Sequence, residues 1–195
     1  MSRSTSGEMG ALSAHSFLHQ AFASADKEAW GTIDRCRPDA SLFVFGNKII
    51  SRLLKLTTDE FELLTAKVLG SFGVEGMKIT AGSSDGGIDG HGRIAELNAK
   101  VAFQAKRWGT TKVGRTQVAQ FIGDVHSGGF DGGVFVTTST FTPAANAEAN
   151  NPRTQVVLLE GTRLARIMLA MNLGVTEHPG QPEMLDEAFF SALAS

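Results

Sequence analysis

The chain of 195 residues has one cysteine, Cys36, which excludes an intrachain disulfide and a cysteine-based zinc cluster. It has no stretch approaching the ~18 uncharged apolar residues of a membrane span. Met1 to Gly10 lacks the basic-then-apolar order of a secretory leader. Nor is there a basic excess: the net charge is −2, which argues against a general nucleic-acid coat protein. These absences predict a cytoplasmic protein with no membrane contact. What is present, 42% apolar and 19% charged residues, suits one domain with a proper core plus an appendage.

Charge distribution says more than charge total. From Leu97 to Gly123 the chain carries Lys100, Lys106, Arg107, Lys112 and Arg115 and no acid. Such a stretch can meet phosphates, although a solvated loop after a strand is often charged too. Arg107 and Arg115 are the candidate phosphate contacts.

The residues with the most chemistry flank this stretch. Ser84-Asp85-Gly86-Gly87-Ile88-Asp89-Gly90 is followed by Phe103-Gln104-Ala105-Lys106-Arg107-Trp108. Strand alternation sends Val101 and Phe103 to one face and Ala102, Gln104 and Lys106 to the other. A strand starting near Ile88, turned back between Glu96 and Lys100, brings the Asp89 carboxylate, the Gln104 amide oxygen and the Lys106 ammonium to one point. Phosphodiester hydrolysis needs such a set: oxygen ligands for a divalent cation, and a cation near the attacking water or the charged transition state. Asp85, in a glycine-flanked loop, is better suited to bonding its own backbone, and Asp89, entering a strand, to holding a metal. Asp85 is therefore assigned a supporting or structural role.

The rest of the pattern predicts an ordered alternation. Thr57-x-x-Glu60 is a capping box, and Phe61, Leu64, Val68 and Phe72 mark a core-facing helix ending at Gly70 or Gly73. Glu62 lies beside that stripe, where a glutamate is usually exposed but can lean over a sheet. Strands are predicted at Val74–Thr80, Val134–Thr138 and Gln155–Leu159, and helices at Gly114–Ser127, Pro143–Asn150 and Arg163–Met171. The order αβββαβαβα predicts an α/β fold, a mixed sheet with helices on both sides. Met168 and Met171 read as core filling. Thr137, Thr138 and Ser139, at the sheet edge where ligands bind, contact phosphate or, more simply, serve a helix cap through Ser139 or Thr142. His91 and His126 are given no part.

From about Leu56 to Val175 the chain resembles the catalytic domain of Mrr-type restriction endonucleases, a branch of the PD-(D/E)XK nucleases whose third motif is Gln-x-Lys. The matching pieces are Phe61-Glu62-Leu63-Leu64, Asp85 to Asp89, Gln104-Ala105-Lys106, Val113-Gly114-Arg115, Gly133 to Ser139 and Leu159 to Leu164, in the family's order. The resemblance implies a restriction-endonuclease-like αβββαβ core and Mg²⁺-dependent cleavage of DNA, methylated DNA in the name-giving branch, with Mn²⁺ as a substitute ion. It implies Glu62, Asp89, Gln104 and Lys106 as the catalytic set, with Asp89, the Gln104 carbonyl and Glu62 on the metal and the backbone of residue 105 as a further ligand. Double-strand cleavage takes two such sites, so a homodimer on double-stranded DNA is expected.

Residues 1–10 read as a disordered tail, 11–55 as a helical appendage, 56–176 as the nuclease domain and 177–195 as a C-terminal extension. Relatives often carry a winged-helix reading domain ahead of the nuclease. Here the leading segment is too short for one, so recognition falls to a separate subunit or domain. The segment packs on the nuclease or makes a dimer contact through Phe43 and Phe45. Two readings compete with restriction: a non-cleaving DNA-binding or regulatory protein on the same fold, and a junction resolvase or effector nuclease with a separate regulator.

Overall fold

A computed structural model describes residues 12–36, 39–80, 87–151, 154–176 and 184–194, the side chains of 28–44 apart. The chain runs α1 (Ala14–Cys36), α2 (Asp39–Leu53), α3 (Thr58–Gly70), β1 (Val74–Ile79), β2 (Gly90–Ile94), β3 (Ala99–Lys106), α4 (Arg115–Ser127), β4 (Gly132–Thr137), α5 (Pro143–Ala149), β5 (Val156–Leu159) and α6 (Gly161–Ala170). The short β6 (Val175–Thr176), β7 (Met184–Leu185) and α7 (Glu187–Ser191) follow.

The five-stranded sheet has the order β1-β2-β3-β4-β5. Its first three strands form an antiparallel meander and its last three run parallel. The two parallel pairs are crossed by α4 and α5, as parallel pairing demands. The mixed α/β sandwich expected from the alternation is thus the observed fold. The β2–β3 turn is a short 3₁₀ segment, Ala95–Leu97, closed by Asn98 in the left-handed region (φ 52°), a conformation asparagine tolerates.

Alternation along β3 divides two cores. Val101, Phe103 and Ala105 face one that also holds Leu18 and Phe22 of α1, Ile49 and Leu53 of α2, Phe61 and Leu64 of α3 and Leu164 of α6. Ala102 faces the other, with Val118, Phe121 and Val125 of α4 and Phe135 of β4. Gln104 and Lys106 share the second face.

The leading segment expected as a helical appendage therefore contributes α1 and α2 to the principal core. Asp26 fixes α1 to α6, accepting from Arg163 Nε at 2.6 Å and Arg166 Nε at 3.1 Å. Phe45, expected as a dimer contact, is only 7% exposed and lies in this core. It recurs with Ile49 and Leu53 at helical spacing on one buried stripe, which is why it points inward. The Phe43 side chain lies outside the described residues, as do residues 1–10. Met168 is buried and Met171 packs against the same core, as expected of fillers.

Candidate active site

Each catalytic candidate sits at the end of a regular element. The capping box at the start of α3 forms as predicted: Glu60 N–H donates to Thr57 Oγ1 at 3.2 Å and Thr57 N–H to Glu60 Oε2 at 2.6 Å. That fixes the first turn, and with it Glu62, half-buried beside the fully buried Phe61.

Asp89 immediately precedes β2 and extends its ladder. Its N–H donates to Phe103 O and its carbonyl accepts from Thr80 N–H, each at 2.9 Å. The backbone is thus held on both sides, and the side chain is held too: Asp89 Oδ2 accepts from Ala105 N–H at 2.7 Å. Ala105 is the middle residue of Gln104-Ala105-Lys106, so this hydrogen bond joins the two motifs directly.

Electrostatics show that Glu62, Asp89 and Lys106 form one cluster. The Glu62 carboxyl is pushed up to about 7, by burial first, then by the charges of Asp89 and Asp59, with Lys106 pulling it down. Asp89 is also raised, by burial, against the opposing effects of the Ala105 N–H and the Lys106 ammonium. Burial is the first cause at both carboxyls, and a cation held between them would favour their charged forms.

The Gln104 side chain completes the set. It is 6% exposed and lies on the same face as Lys106, and its amide oxygen is of the type that ligates a hard cation. Two carboxylates and an amide oxygen fit a hard divalent cation that keeps several of its waters. No group of three or more acidic, histidine or cysteine ligands occurs among the described residues. The donor set is therefore a sparse one with a neutral member. Asp85 lies outside the described residues.

Two of the predicted phosphate contacts take specific places. Arg107 turns inward, its Nη1 donating to Leu54 O at 2.8 Å, with its Nε buried and unpaired among the described residues. It thereby satisfies a free carbonyl just past the end of α2, where a cation is favoured. Arg115, on the first turn of α4, pairs with Glu148 of α5 at 2.6 Å. It is exposed, and such a pair is weak and leaves the guanidinium free to exchange partners.

The expected cap of the following helix forms through Thr142, and the threonines at the end of β4 take a further part. Thr137 Oγ1 donates to Lys106 O and Thr138 Oγ1 to Trp108 O, both at 2.8 Å. They clamp the chain on either side of Arg107 and so fix the backbone that carries Lys106. Thr142, one of the two capping positions expected, caps α5, its hydroxyl accepting from Ala145 N–H. Gly161 lets α6 start against the same clamp: its N–H donates to Ser139 O at 2.9 Å, and a Cβ there would collide with the Thr138 backbone.

Sequence reading missed Asp124. From α4 its Oδ2 accepts the Gly87 N–H at 3.1 Å, two residues before Asp89. A Cβ on Gly87 would strike that same oxygen and lie 3.1 Å from Gln104 Nε2, so glycine is required for this close approach. Asp124→Ala is expected to lower cleavage roughly tenfold by loosening the entry to Asp89, whereas Asp124→Asn, which keeps an acceptor oxygen, retains most activity. Steady-state rates of the two variants, with thermal melts alongside, check this.

A family model described as restriction endonuclease, the Mrr catalytic domain, matches residues 53–168. The type IV methyl-directed restriction enzyme EcoKMrr of Escherichia coli K12 is 34% identical over 149 residues, 74% of this chain and 48% of that protein. The chain thus spans about half the length of that relative. Among solved structures, the MspJI restriction endonuclease in complex with a 27-mer oligonucleotide superposes with a TM-score of 0.56 at 27% identity, over 76% of this chain and 35% of that one. The DNA modification-dependent restriction endonuclease AspBHI gives 0.61 at 20% identity, covering 83% and 41%, a likeness in fold.

Proposed function

The chain belongs to the Mrr-type restriction-endonuclease family, and from that premise we propose that it hydrolyses phosphodiester bonds of double-stranded DNA with the help of Mg²⁺, preferring modified DNA. The observation that carries this reading is the Asp89–Ala105 hydrogen bond, which ties Asp89 to the middle of Gln104-Ala105-Lys106, with Glu62 of α3 near enough to feel the charges of Asp89 and Lys106. Nothing needed for the chemistry is missing from Glu62, Asp89, Gln104 and Lys106, which disfavours a non-cleaving relative.

Glu62, Asp89 and the Gln104 carbonyl would hold the ion. When bound it supplies a more acidic water and neutralises charge on the scissile phosphate. Lys106 orients the attacking water and stabilises negative charge building on the phosphate, a role worth about 10²–10³-fold when a single such donor is removed. Thr137 and Thr138 keep the Lys106 backbone from drifting, and sub-ångström placement matters in this kind of catalysis.

Preference for modified DNA is drawn from the relatives. No segment here is assigned to reading a base, so recognition is proposed to come from a further domain or subunit. Cutting both strands takes two such sites, hence a homodimer on DNA. Plasmid prepared with and without methylation, incubated with Mg²⁺ over a range of protein concentrations, tests both points. Faster cutting of methylated plasmid and a steeper than linear rise with protein are expected. Equal cutting of the two plasmids would remove the modification preference, and a linear rise together with a strictly monomeric species on DNA in light scattering would remove the dimer.

A further inference from the structure

We infer that the outward face of α2 is a docking surface for the sugar-phosphate backbone of DNA, contacted by Lys48, Ser51 and Lys55. The inference rests on the DNA-cleavage reading and says where the duplex runs once it leaves the catalytic residues.

α2 buries Phe45, Ile49 and Leu53 and leaves Asn47, Lys48, Ser51 and Lys55, the last just past its end, exposed. With Arg52, Leu185 and Glu187 these residues line a cleft of about 370 Å³. The single acid in the cleft is already answered: Arg52 Nη2 lies 3.0 Å from Glu187 Oε2, Arg52 Nε also donates to that carboxylate, and the guanidinium sits 4.5 Å from the centre of the Phe190 ring. The net positive charge of the cleft therefore belongs to Lys48 and Lys55. No acid lies between Asp39 and Asp59.

The end of this face touches the chain next to Lys106. Arg107, the residue after Lys106, donates to Leu54 O, and Leu54 adjoins Lys55. The two longest acid-free stretches of the chain, 40–58 and 97–123, thus meet at one hydrogen bond. From Lys55 back to Lys48 is about 10 Å of helical rise, roughly three nucleotide steps along one DNA strand. Flexible ammonium groups and a hydroxyl suit phosphate oxygens rather than base edges, so the surface would position the duplex without reading it.

The test is fluorescence anisotropy of a short duplex with the full chain carrying Asp89→Asn to prevent cutting, across a range of salt. Adding Lys48→Ala and Lys55→Ala is expected to weaken binding several-fold and to make the slope of log K against log salt shallower by about 2. A charge-matched control, Lys27→Ala with Lys67→Ala, changes the same net charge on other exposed positions and is expected to leave that slope nearly unchanged. Lys48→Gln with Lys55→Gln provides a second variant that largely preserves side-chain length and helix propensity. A slope unchanged in both double variants, or reduced equally by the control, overturns the inference. If the wild type cuts DNA while this slope stays unchanged, the surface alone falls. If it binds through Lys48 and Lys55 without cutting, the cleavage reading falls and the surface stands; if no duplex is bound at all, both fall.

Discussion

Replacing Asp89 with alanine is expected to lower the rate of DNA cleavage by at least about 10³-fold, the equivalent of about 4 kcal/mol of lost transition-state stabilisation. Asp89 is the carboxylate most rigidly placed in the site. Its backbone is bonded to β3 and to the end of β1, and its Oδ2 accepts from Ala105 N–H. Alanine also leaves that N–H without its partner, at a cost of about 1–3 kcal/mol if water does not replace it. Asp89→Asn separates the two effects: an amide oxygen can still accept from Ala105, while the ligand charge is gone. The same large loss of activity with a near-normal melting temperature is expected for Asn. Wild-type rates in Asp89→Asn would show that the carboxylate charge has no catalytic part.

The second large effect concerns Glu62 and pH. Its folded-state carboxyl titrates at about 7, raised by burial and by Asp89. On the proposed reading a divalent cation displaces that proton, so apparent metal affinity and the rate at subsaturating Mg²⁺ are expected to fall about tenfold per pH unit below 7. The sign for stability follows from the same shift. Between its ordinary value and 7 the folded state binds more protons than the unfolded one, so this group's contribution to stability is present at low pH and is lost as pH rises through 7. Without metal, Glu62→Gln is therefore expected to melt higher than wild type at pH 8 and equally at pH 4. The gap is on the order of 1 kcal/mol after solvent screening, about 2–4 °C for a chain of this size. Calorimetric melts at the two pH values check it. A gap that is constant with pH would show that Glu62 does not carry the buried charge, and added Mg²⁺ should erase or reverse it at pH 8.

Local signals carried much of this fold. The Thr57–Glu60 capping box, the alternation of Val101 to Lys106 and the run of apolar strands are short-range patterns whose physical causes lie within a few residues. They suffice to put Asp89, Gln104 and Lys106 at one end of a hairpin, and the motif order brings Glu62 to them. The contacts that tune the site are not local. Asp124 reaches Gly87 from across two layers, and nothing in its helix distinguishes it from a solvated aspartate. Arg107 finds Leu54 only because the shared core brings the chain just past α2 to the chain just past β3, and the Thr137 and Thr138 hydroxyls find their carbonyls only through the parallel pairing of β3 with β4. Phe45 is a different case: the spacing of Phe45, Ile49 and Leu53 was available in the sequence and already indicated a buried stripe rather than a dimer contact.

A weak spot in metal binding is built into the same residues. A neutral Gln104 in place of a third acid leaves less charge to neutralise the cation, so appreciable affinity for Mg²⁺ is expected only once DNA phosphates join the site. The measurement that bears most directly on the central claim is therefore cleavage of supercoiled plasmid by the full chain with Mg²⁺, with EDTA, and with Lys106→Ala in place of the wild type. Nicked and linear products that require Mg²⁺ and disappear both with EDTA and in Lys106→Ala are the predicted result. Cutting that persists in EDTA, or at the wild-type rate in Lys106→Ala, would contradict it.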